Sequence, residues 1–275
     1  MALLRISDEL ALRTLSAFLM SGVATIALWN SVWTFTALTV LLSSAMCWEW
    51  GRAVRSQFFD IGHVVHISVI SIVAIASAIN SQALAIYTLV VGMIVMAVLS
   101  CKQHCFISIM GLVYIAVPVF SLIWLRNDEP YGIHAVFFIF LVVASHDTFA
   151  MLVGKLIGGP RIWPYLSPNK TWSGVIGGLA SSWLTGLLFA VFFSYDAIVW
   201  LGGLGLIIGT AGFIGDLLES AFKRYYGLRH ASSLIPGHGG VLDRFDGIIT
   251  AVTVAILIGI TIEQGSPARA LMLAR

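Results

Sequence analysis

Long apolar runs, separated by short polar segments, dominate the pattern of hydrophobic and polar positions along this chain. Most runs approach the roughly 20 residues that an α-helix needs to cross the hydrocarbon core of a bilayer. They do not alternate with the period of a strand, and a backbone inside a bilayer must satisfy its hydrogen bonds within helices or a closed barrel. The pattern predicts an all-α, polytopic integral membrane protein with about nine transmembrane helices. They are expected near residues 13–29, 32–50, 61–79, 83–100, 105–125, 131–153, 174–194, 197–220 and 247–263.

The composition agrees with this pattern and narrows the set of partners. Hydrophobic residues make up 59% of the 275 residues and charged residues only 10%, against roughly a quarter charged in a soluble domain. The net charge of +2 is small, and no run rich in Lys or Arg is present. We therefore expect a lipid bilayer around the chain and no nucleic acid as a partner.

Charged residues are unevenly distributed along the chain. If the N-terminus is cytoplasmic, twelve of the fifteen Lys and Arg residues fall in cytoplasmic segments, as the positive-inside rule favours. Ionisable residues are scarce inside the first five predicted helices and dense between Asp147 and Asp246. No linker or repeat divides the chain, so it is interpreted as one membrane domain over 1–275. N-terminal helices are assigned to 1–126, and the helices and cytoplasmic loops that carry the chemistry to 131–263.

The eighth predicted helix ends in the sequence GDLLESAFKR. Helical spacing places four polar side chains of this segment on one face: Asp216, Glu219, Ser220 and Lys223. One interpretation is a helix end that enters water, with Lys223 paired to Glu219. The other is a functional site, because acidic groups at membrane depth are costly and tend to mark one.

A glycine-rich segment, SLIPGHGGVLDRFDG, leads into the ninth predicted helix. Such a backbone cannot be regular helix, and Gly239 and Gly240 would let backbone amides approach a phosphate closely. Asp243 and Asp246 then place two carboxylates on one side of the start of a helix, with Arg244 between them. A plain turn before a helix is the alternative interpretation.

Together, the two segments predict a site for a nucleoside triphosphate. Asp216 and Asp243 offer the hard oxygen ligands that suit Mg²⁺, which usually takes one or two carboxylates and fills its shell with phosphate and water. Cationic and imidazole side chains that could contact the phosphates accompany them: Lys223, Arg224, Arg229, His238 and Arg244.

The segment SPNKTWSGVIGG, before the seventh predicted helix, carries Lys170 among small hydroxyl residues. It is interpreted both as a phosphate-contacting segment and as a capped helix start, with Thr171 or Ser173 as the N-cap. Asp147 lies inside the apolar run of the sixth helix, either as a satisfied buried residue or in support of the site.

These motifs resemble the phosphatidate cytidylyltransferase family. The family signature contains Gly-Asp, Ser, Lys-Arg, Pro-Gly-His-Gly-Gly and Asp-Arg-x-Asp in this order. Here the motifs fall on Gly215-Asp216, Ser220, Lys223-Arg224, Pro236 to Gly240 and Asp243 to Asp246. The upstream Ser-Pro-x-Lys-Thr-Trp motif is similar to the segment that begins at Ser167. The chain departs at Arg229-His230, where the family has Lys-Asp, and at Ser173, where it has Glu.

The resemblance implies transfer of the cytidylyl group of CTP to phosphatidic acid, which forms CDP-diacylglycerol and pyrophosphate in phospholipid biosynthesis. It implies Mg²⁺ on Asp216 and Asp243, with a second cation left open. The implied catalytic residues are Asp216, Asp243, Asp246, Lys223, Arg224 and Arg244. The implied substrate-binding residues are Ser167, Lys170, Thr171, Ser220, Arg229, His238, Gly239, Gly240 and Asp147.

The expected location is a bacterial inner (cell) membrane, and a homodimer is left open as the assembly. Two other functions stay open at the level of the sequence. A CTP-dependent polyprenol or phytol kinase would use a similar site but release CDP. A membrane transporter would also use intramembrane carboxylates, although no repeat symmetry is visible.

Overall fold

A computed structural model describes residues 19–100, 105–228, 231, 232, 234 and 239–274. Within these ranges, eight helices are long and apolar enough to span a membrane. The chain is therefore an all-α, multi-pass membrane protein, as the hydrophobic pattern predicts. The helices and strands are α1 (Leu19–Asn30), α2 (Val32–Arg55), α3 (Ile61–Ala78), α4 (Gln82–Leu99), α5 (Cys105–Asn127), α6 (Gly132–Ile157), β1 (Arg161–Trp163), β2 (Ser167–Thr171), α7 (Trp172–Phe192), α8 (Ile198–Tyr225), α9 (Leu242–Ile262) and α10 (Pro267–Leu273).

Helix ends differ most from the sequence-based prediction where polar residues extend a helix. Helix α8 continues five residues past position 220, because pairs four residues apart on its polar face prolong the helix. Helix α9 begins at Leu242, five residues before the predicted start, because carboxylates accept hydrogen bonds from the backbone N–H groups there. Two short strands and α10 were not predicted, since apolar length does not reveal them.

The chain divides into two compact units, and each is described by itself. The first contains residues 1–123 and 226–244, with α3 packed between α2 and α4. Its α2–α3 turn is fastened by Asp60, which caps α3 and pairs with Arg55 at 2.6 Å. Partial burial would by itself raise the pKa of Asp60, but the Arg55 hydrogen bond and the His63 amide lower that pKa below its usual value. The end of α2 is thereby held in place.

The second unit contains residues 124–225 and 245–275. Helices α6, α7 and α8 pack against one another, and α10 packs on α6 and α8. Glycines bring α7 and α8 into backbone contact: a Cβ added at Gly186 would lie 2.1 Å from the Leu201 carbonyl oxygen, and one at Gly205 would lie 2.5 Å from that of Ser182. Small residues at such interfaces are typical of membrane helices, where close packing replaces the hydrophobic effect.

We expect Gly205→Ala to destabilise the second unit, because the added methyl group meets a backbone carbonyl that cannot move aside. The expected loss is about 1–3 kcal/mol, seen as a lower midpoint for thermal aggregation in detergent. Gly203→Ala is the matched control, since a Cβ there meets nothing within 4 Å. Equal midpoints for the two variants would contradict the packing described for α7 and α8.

Candidate functional site

The polar face predicted for α8 is present. Glu219 is buried, and its Oε2 lies 2.5 Å from Nζ of Lys223, one turn further on. Ser220 donates a hydrogen bond to Oδ1 of Asp216 at 3.5 Å. The Lys223–Glu219 ion pair, expected if α8 simply ends in water, is therefore present. This pair does not exclude a functional site on the same face, because Asp216 is not part of it.

Asp216 forms its closest contact with the segment before α7. Nζ of Lys170 lies 2.6 Å from Oδ2 of Asp216, and it also lies 4.9 Å from the ring centroid of Phe213, one turn earlier on α8. Lys170 is 19% exposed and Asp216 is 39% exposed at the side chain. Two residues 46 positions apart in sequence thus form a charged pair, in which the Lys170 ammonium is buried and the Asp216 side chain is partly exposed.

A two-stranded antiparallel hairpin positions Lys170. Strand β1 pairs with β2, and β2 runs directly into α7. Thr171 is the N-cap of α7 and accepts a hydrogen bond from the Gly174 amide at 3.2 Å, which confirms the capped helix start. Ser173, where the resembled family has Glu, bonds the carbonyl of Gly158. Lys170 therefore lies in a paired strand, directly before the residue that caps α7, and both features restrict its backbone.

The hairpin and the first residue after it carry exposed large aromatic side chains. Trp163 is 55% exposed, Tyr165 is 87% exposed and Trp172 is 54% exposed. Trp and Tyr are enriched where a membrane meets water. Arg224, at the end of α8, donates to the carbonyl of Leu166 at 3.5 Å and ties the helix to the hairpin. Ser167 lies half-buried in β2.

Two further carboxylates of the second unit, Asp246 and Asp147, interact electrostatically, and Asp246 also interacts with Asp216. Asp246, half-buried in the first turns of α9, is within electrostatic range of Asp216, Asp147 and Lys223. Asp147 is 64% exposed, and its Oδ1 lies 3.2 Å from Nδ1 of His146. Two lysines lie among these carboxyl groups: Lys170 pairs with Asp216, and Lys223 is within electrostatic range of Asp246.

His146 was missed by the sequence analysis. Its side chain is buried on α6, and its ring lies 6.2 Å from the ring of Phe213, which also contacts Lys170. Sequence spacing gave no sign of this, because one histidine in an apolar helix is commonly only a packed residue. Its position next to Asp147 was the available signal.

Asp243 fastens the glycine-rich segment in the first unit. Its Oδ2 accepts hydrogen bonds from the Gly240 amide at 2.9 Å and from the Ala231 amide at 3.1 Å. Gly239, with a φ of 88°, adopts a left-handed conformation that favours glycine. Arg244 is exposed at the start of α9. Residues 239–241 are thus non-helical, and the Asp243 carboxylate fastens the backbone at Gly240 and Ala231.

A second carboxylate organises the same segment and was not predicted. Glu49 lies in α2 with no exposed surface and accepts hydrogen bonds from the Val241 amide at 2.8 Å and the Leu242 amide at 2.7 Å. The hydroxyl of Ser232 also donates to it, at 2.5 Å. The glycine-rich segment thus has a partner in the first half of the chain, although the ionisable residues are concentrated in the second half. Helix α2 continues to Arg55, past the predicted end at residue 50. Glu49 therefore lies inside the helix and not at its end.

Arg229 and His238, both predicted to contact substrate, lie outside the described residues. The predicted metal pair of Asp216 and Asp243 joins residues of different units and stays a prediction, as does the single-domain interpretation. Among the described residues, no group of three or more His, Cys, Asp or Glu side chains is arranged to hold a metal ion.

Helices that span a membrane and a concentration of acidic and basic side chains at the ends of α8 and α9 define a membrane protein with a site for a charged ligand. The chain belongs to the cytidylyltransferase family, whose sequence profile matches residues 11–261. It is 34% identical over 253 residues to a phosphatidate cytidylyltransferase of Brucella abortus, which covers 92% of this chain and 94% of the relative. Over 142 residues it is 39% identical to a phosphatidate cytidylyltransferase of Staphylococcus aureus, which covers 51% of this chain and 54% of the relative.

We expect Lys170→Met to destabilise the protein, because it removes the closest cation from Asp216, which lies within electrostatic range of the Asp246 carboxyl group. Adding Asp216→Asn to this variant should restore part of the loss, with a coupling free energy on the order of 1 kcal/mol. Thermal aggregation in detergent measures all three variants. Lys155→Met, which removes an exposed cation at the end of α6, is the control. A double variant no more stable than Lys170→Met would contradict the pairing.

Proposed function

We propose that this chain transfers the cytidylyl group of CTP to phosphatidic acid and forms CDP-diacylglycerol and pyrophosphate. The observation that carries the proposal is the Lys170–Asp216 ion pair beside Asp246 and Lys223. Membership of the cytidylyltransferase family and relatives named phosphatidate cytidylyltransferase support it. The chain is then a nucleotidyltransferase of phospholipid biosynthesis.

The reaction suits a site made of charges rather than of general bases. An oxygen of the lipid phosphate forms a bond to the α-phosphorus of CTP, and the bond from that phosphorus to the β-phosphate oxygen breaks as pyrophosphate leaves. The attacking oxygen is already anionic near neutral pH, so the obstacle is the repulsion between two polyanions. Lys170 and Lys223, both only partly exposed, would reduce that repulsion.

The carboxylates around Asp216 support a proposal for a divalent cation. Asp216 and Asp246 are carboxylates within electrostatic range of each other, and oxygen ligands suit Mg²⁺. We propose that Asp216 and Asp243 hold Mg²⁺, with Asp246 able to hold a second cation. When bound, the cation would neutralise charge on triphosphate oxygens. Asp243, oriented by two backbone amides at its Oδ2, would bind with a fixed direction.

We further propose that the N-terminus and this site face the cytoplasm of a bacterial cell membrane. The distribution of Lys and Arg supports this orientation. The lipid headgroup lies at the depth of helix ends, while CTP is supplied from the cytosol. CTP and phosphatidic acid are then the partners of the site, and a homodimer remains a proposal for the assembly.

Purified protein incubated with Mg²⁺, phosphatidic acid and CTP labelled at either the α- or the γ-phosphate tests the reaction. We expect the α-label in the lipid and the γ-label in pyrophosphate. A γ-label in the lipid, with polyprenol or phytol as acceptor, would identify a kinase instead, and transport without CTP turnover would identify a carrier.

Membrane vesicles of both orientations test the sidedness, because CTP does not cross a bilayer: inside-out vesicles should react without permeabilisation.

Asp243→Asn separates the charge of Asp243 from its hydrogen bonds, because asparagine keeps an oxygen that can accept from the Gly240 and Ala231 amides. We expect a loss of kcat/KM of at least about 100-fold with little change in thermal stability. Asp243→Ala should lose the same activity and also about 1–2 kcal/mol of stability.

Asp196→Asn is the control for the Asp243 variants. Asp196 is exposed before α8, whose first residue lies roughly 27 Å along the helix axis from Asp216 at 1.5 Å per residue. Wild-type turnover by Asp243→Asn would refute the metal assignment of this carboxylate.

A further inference from the structure

Glu49 is a carboxylate in the interior of a membrane helix, and among the described residues its oxygens accept hydrogen bonds from two backbone amides and one hydroxyl. Its Oε1 accepts from the Val241 amide and the Ser232 hydroxyl, and its Oε2 accepts from the Leu242 amide. Burying a carboxylate costs several kcal/mol unless its oxygens are hydrogen-bonded, and three donors compensate here. The positive end of the α9 dipole adds to the compensation.

The backbone opposite Glu49 is shaped to receive it. A Cβ added at Gly240 would lie 2.8 Å from Oε1 and 2.9 Å from Oε2 of Glu49. Any other residue at position 240 would therefore displace the carboxylate. The glycine that sequence analysis assigned to phosphate contact has a second role, which is to admit the side chain of α2.

Glu49 and Asp243 together accept hydrogen bonds from the amides at the start of α9 and just before it. Three successive N–H groups point to carboxylate oxygens: that of Gly240 to Asp243, and those of Val241 and Leu242 to Glu49. Asp243 is itself the second residue of α9. The direction in which its side chain leaves the helix depends on how the first turn is held, and Glu49 holds that turn from outside.

We propose that Glu49 is a positioning residue for the transfer reaction: it fixes the first turn of α9 and through it the orientation of Asp243. It contacts neither substrate in this role. The kinetic consequence rests on the proposed function, whereas the fastening of the segment does not. Groups one contact removed from a reacting or metal-binding residue typically contribute roughly 10- to 100-fold to activity or metal affinity.

The test compares Glu49→Gln with wild type in two measurements. Glutamine keeps the length but presents an NH₂ group to one of the two amides, so one hydrogen bond is lost and two donors face each other. We expect faster hydrogen–deuterium exchange in peptides that cover 239–246, a fall in kcat of roughly 10- to 100-fold, and a higher Mg²⁺ requirement, with KM for CTP changed less. Glu49→Asp, which keeps the charge but is shorter, should lie between the two.

Trp50→Phe is the matched control on the neighbouring residue of α2. It removes a part-buried hydrogen bond from the indole Nε1 to the Ile107 carbonyl at 3.1 Å, whose acceptor lies in α5 rather than at the start of α9. We expect it to lower thermal stability without changing exchange in 239–246 or the Mg²⁺ requirement. If Glu49→Gln does not accumulate, Ser232→Ala, which removes one of the three donors, should shift the same measurements in the same direction by less.

Two results would overturn the proposal. One is wild-type exchange in 239–246 together with wild-type kcat in Glu49→Gln. The other is a loss of activity in Glu49→Gln and Trp50→Phe that follows thermal stability alone. If wild-type protein transfers no cytidylyl group, the proposed function fails, and the exchange measurement still decides whether Glu49 fastens the segment.

Discussion

The irregular segment before α9 depends on the hydrogen bonds that two carboxylates accept from its backbone. A chain that leaves regular helix at membrane depth exposes N–H groups that lipid cannot satisfy. Here Glu49 and Asp243 accept from three consecutive amides, and Ser232 adds a hydroxyl donor. Because these acceptors are acidic, the same arrangement that makes the backbone tolerable also concentrates negative charge at the start of a helix. The proposed metal ligand Asp243 is therefore also a structural residue of this segment.

The second unit handles charge differently. Asp216, Asp147 and Asp246 lie in one region, and Lys170 is brought to them by a hairpin rather than by helix spacing. A lysine on a strand between a turn and a helix cap has less freedom than one on a free loop, so less conformational entropy is lost when it binds an anion. Gly186 and Gly205 hold α7 and α8 in backbone contact further along the same two helices.

Hydrophobic length was enough to predict the helices, because a bilayer imposes nearly the same requirement on each of them. Helix spacing was also enough to place Asp216 and Lys223 on one face of α8. It could not reveal partners distant in sequence: Lys170 meets Asp216 through a hairpin with no apolar signature, and Glu49 lies 192 residues before the amide of Val241 that it binds. The same limit explains why α9 begins earlier than predicted. Its first turn is stabilised by acceptors from elsewhere in the chain, which a local pattern does not contain.

The exposed aromatic residues around the hairpin have a consequence for the membrane itself. Trp163, Tyr165 and Trp172 are residue types that favour the boundary between headgroups and hydrocarbon, so we expect the hairpin to rest at that boundary. Lys170 is connected to that level by only a few residues of chain. We then expect activity to depend on bilayer thickness and headgroup size. Both change the depth of a lipid phosphate relative to the Lys170 ammonium group, whereas the aromatic side chains keep the depth of Lys170 nearly constant.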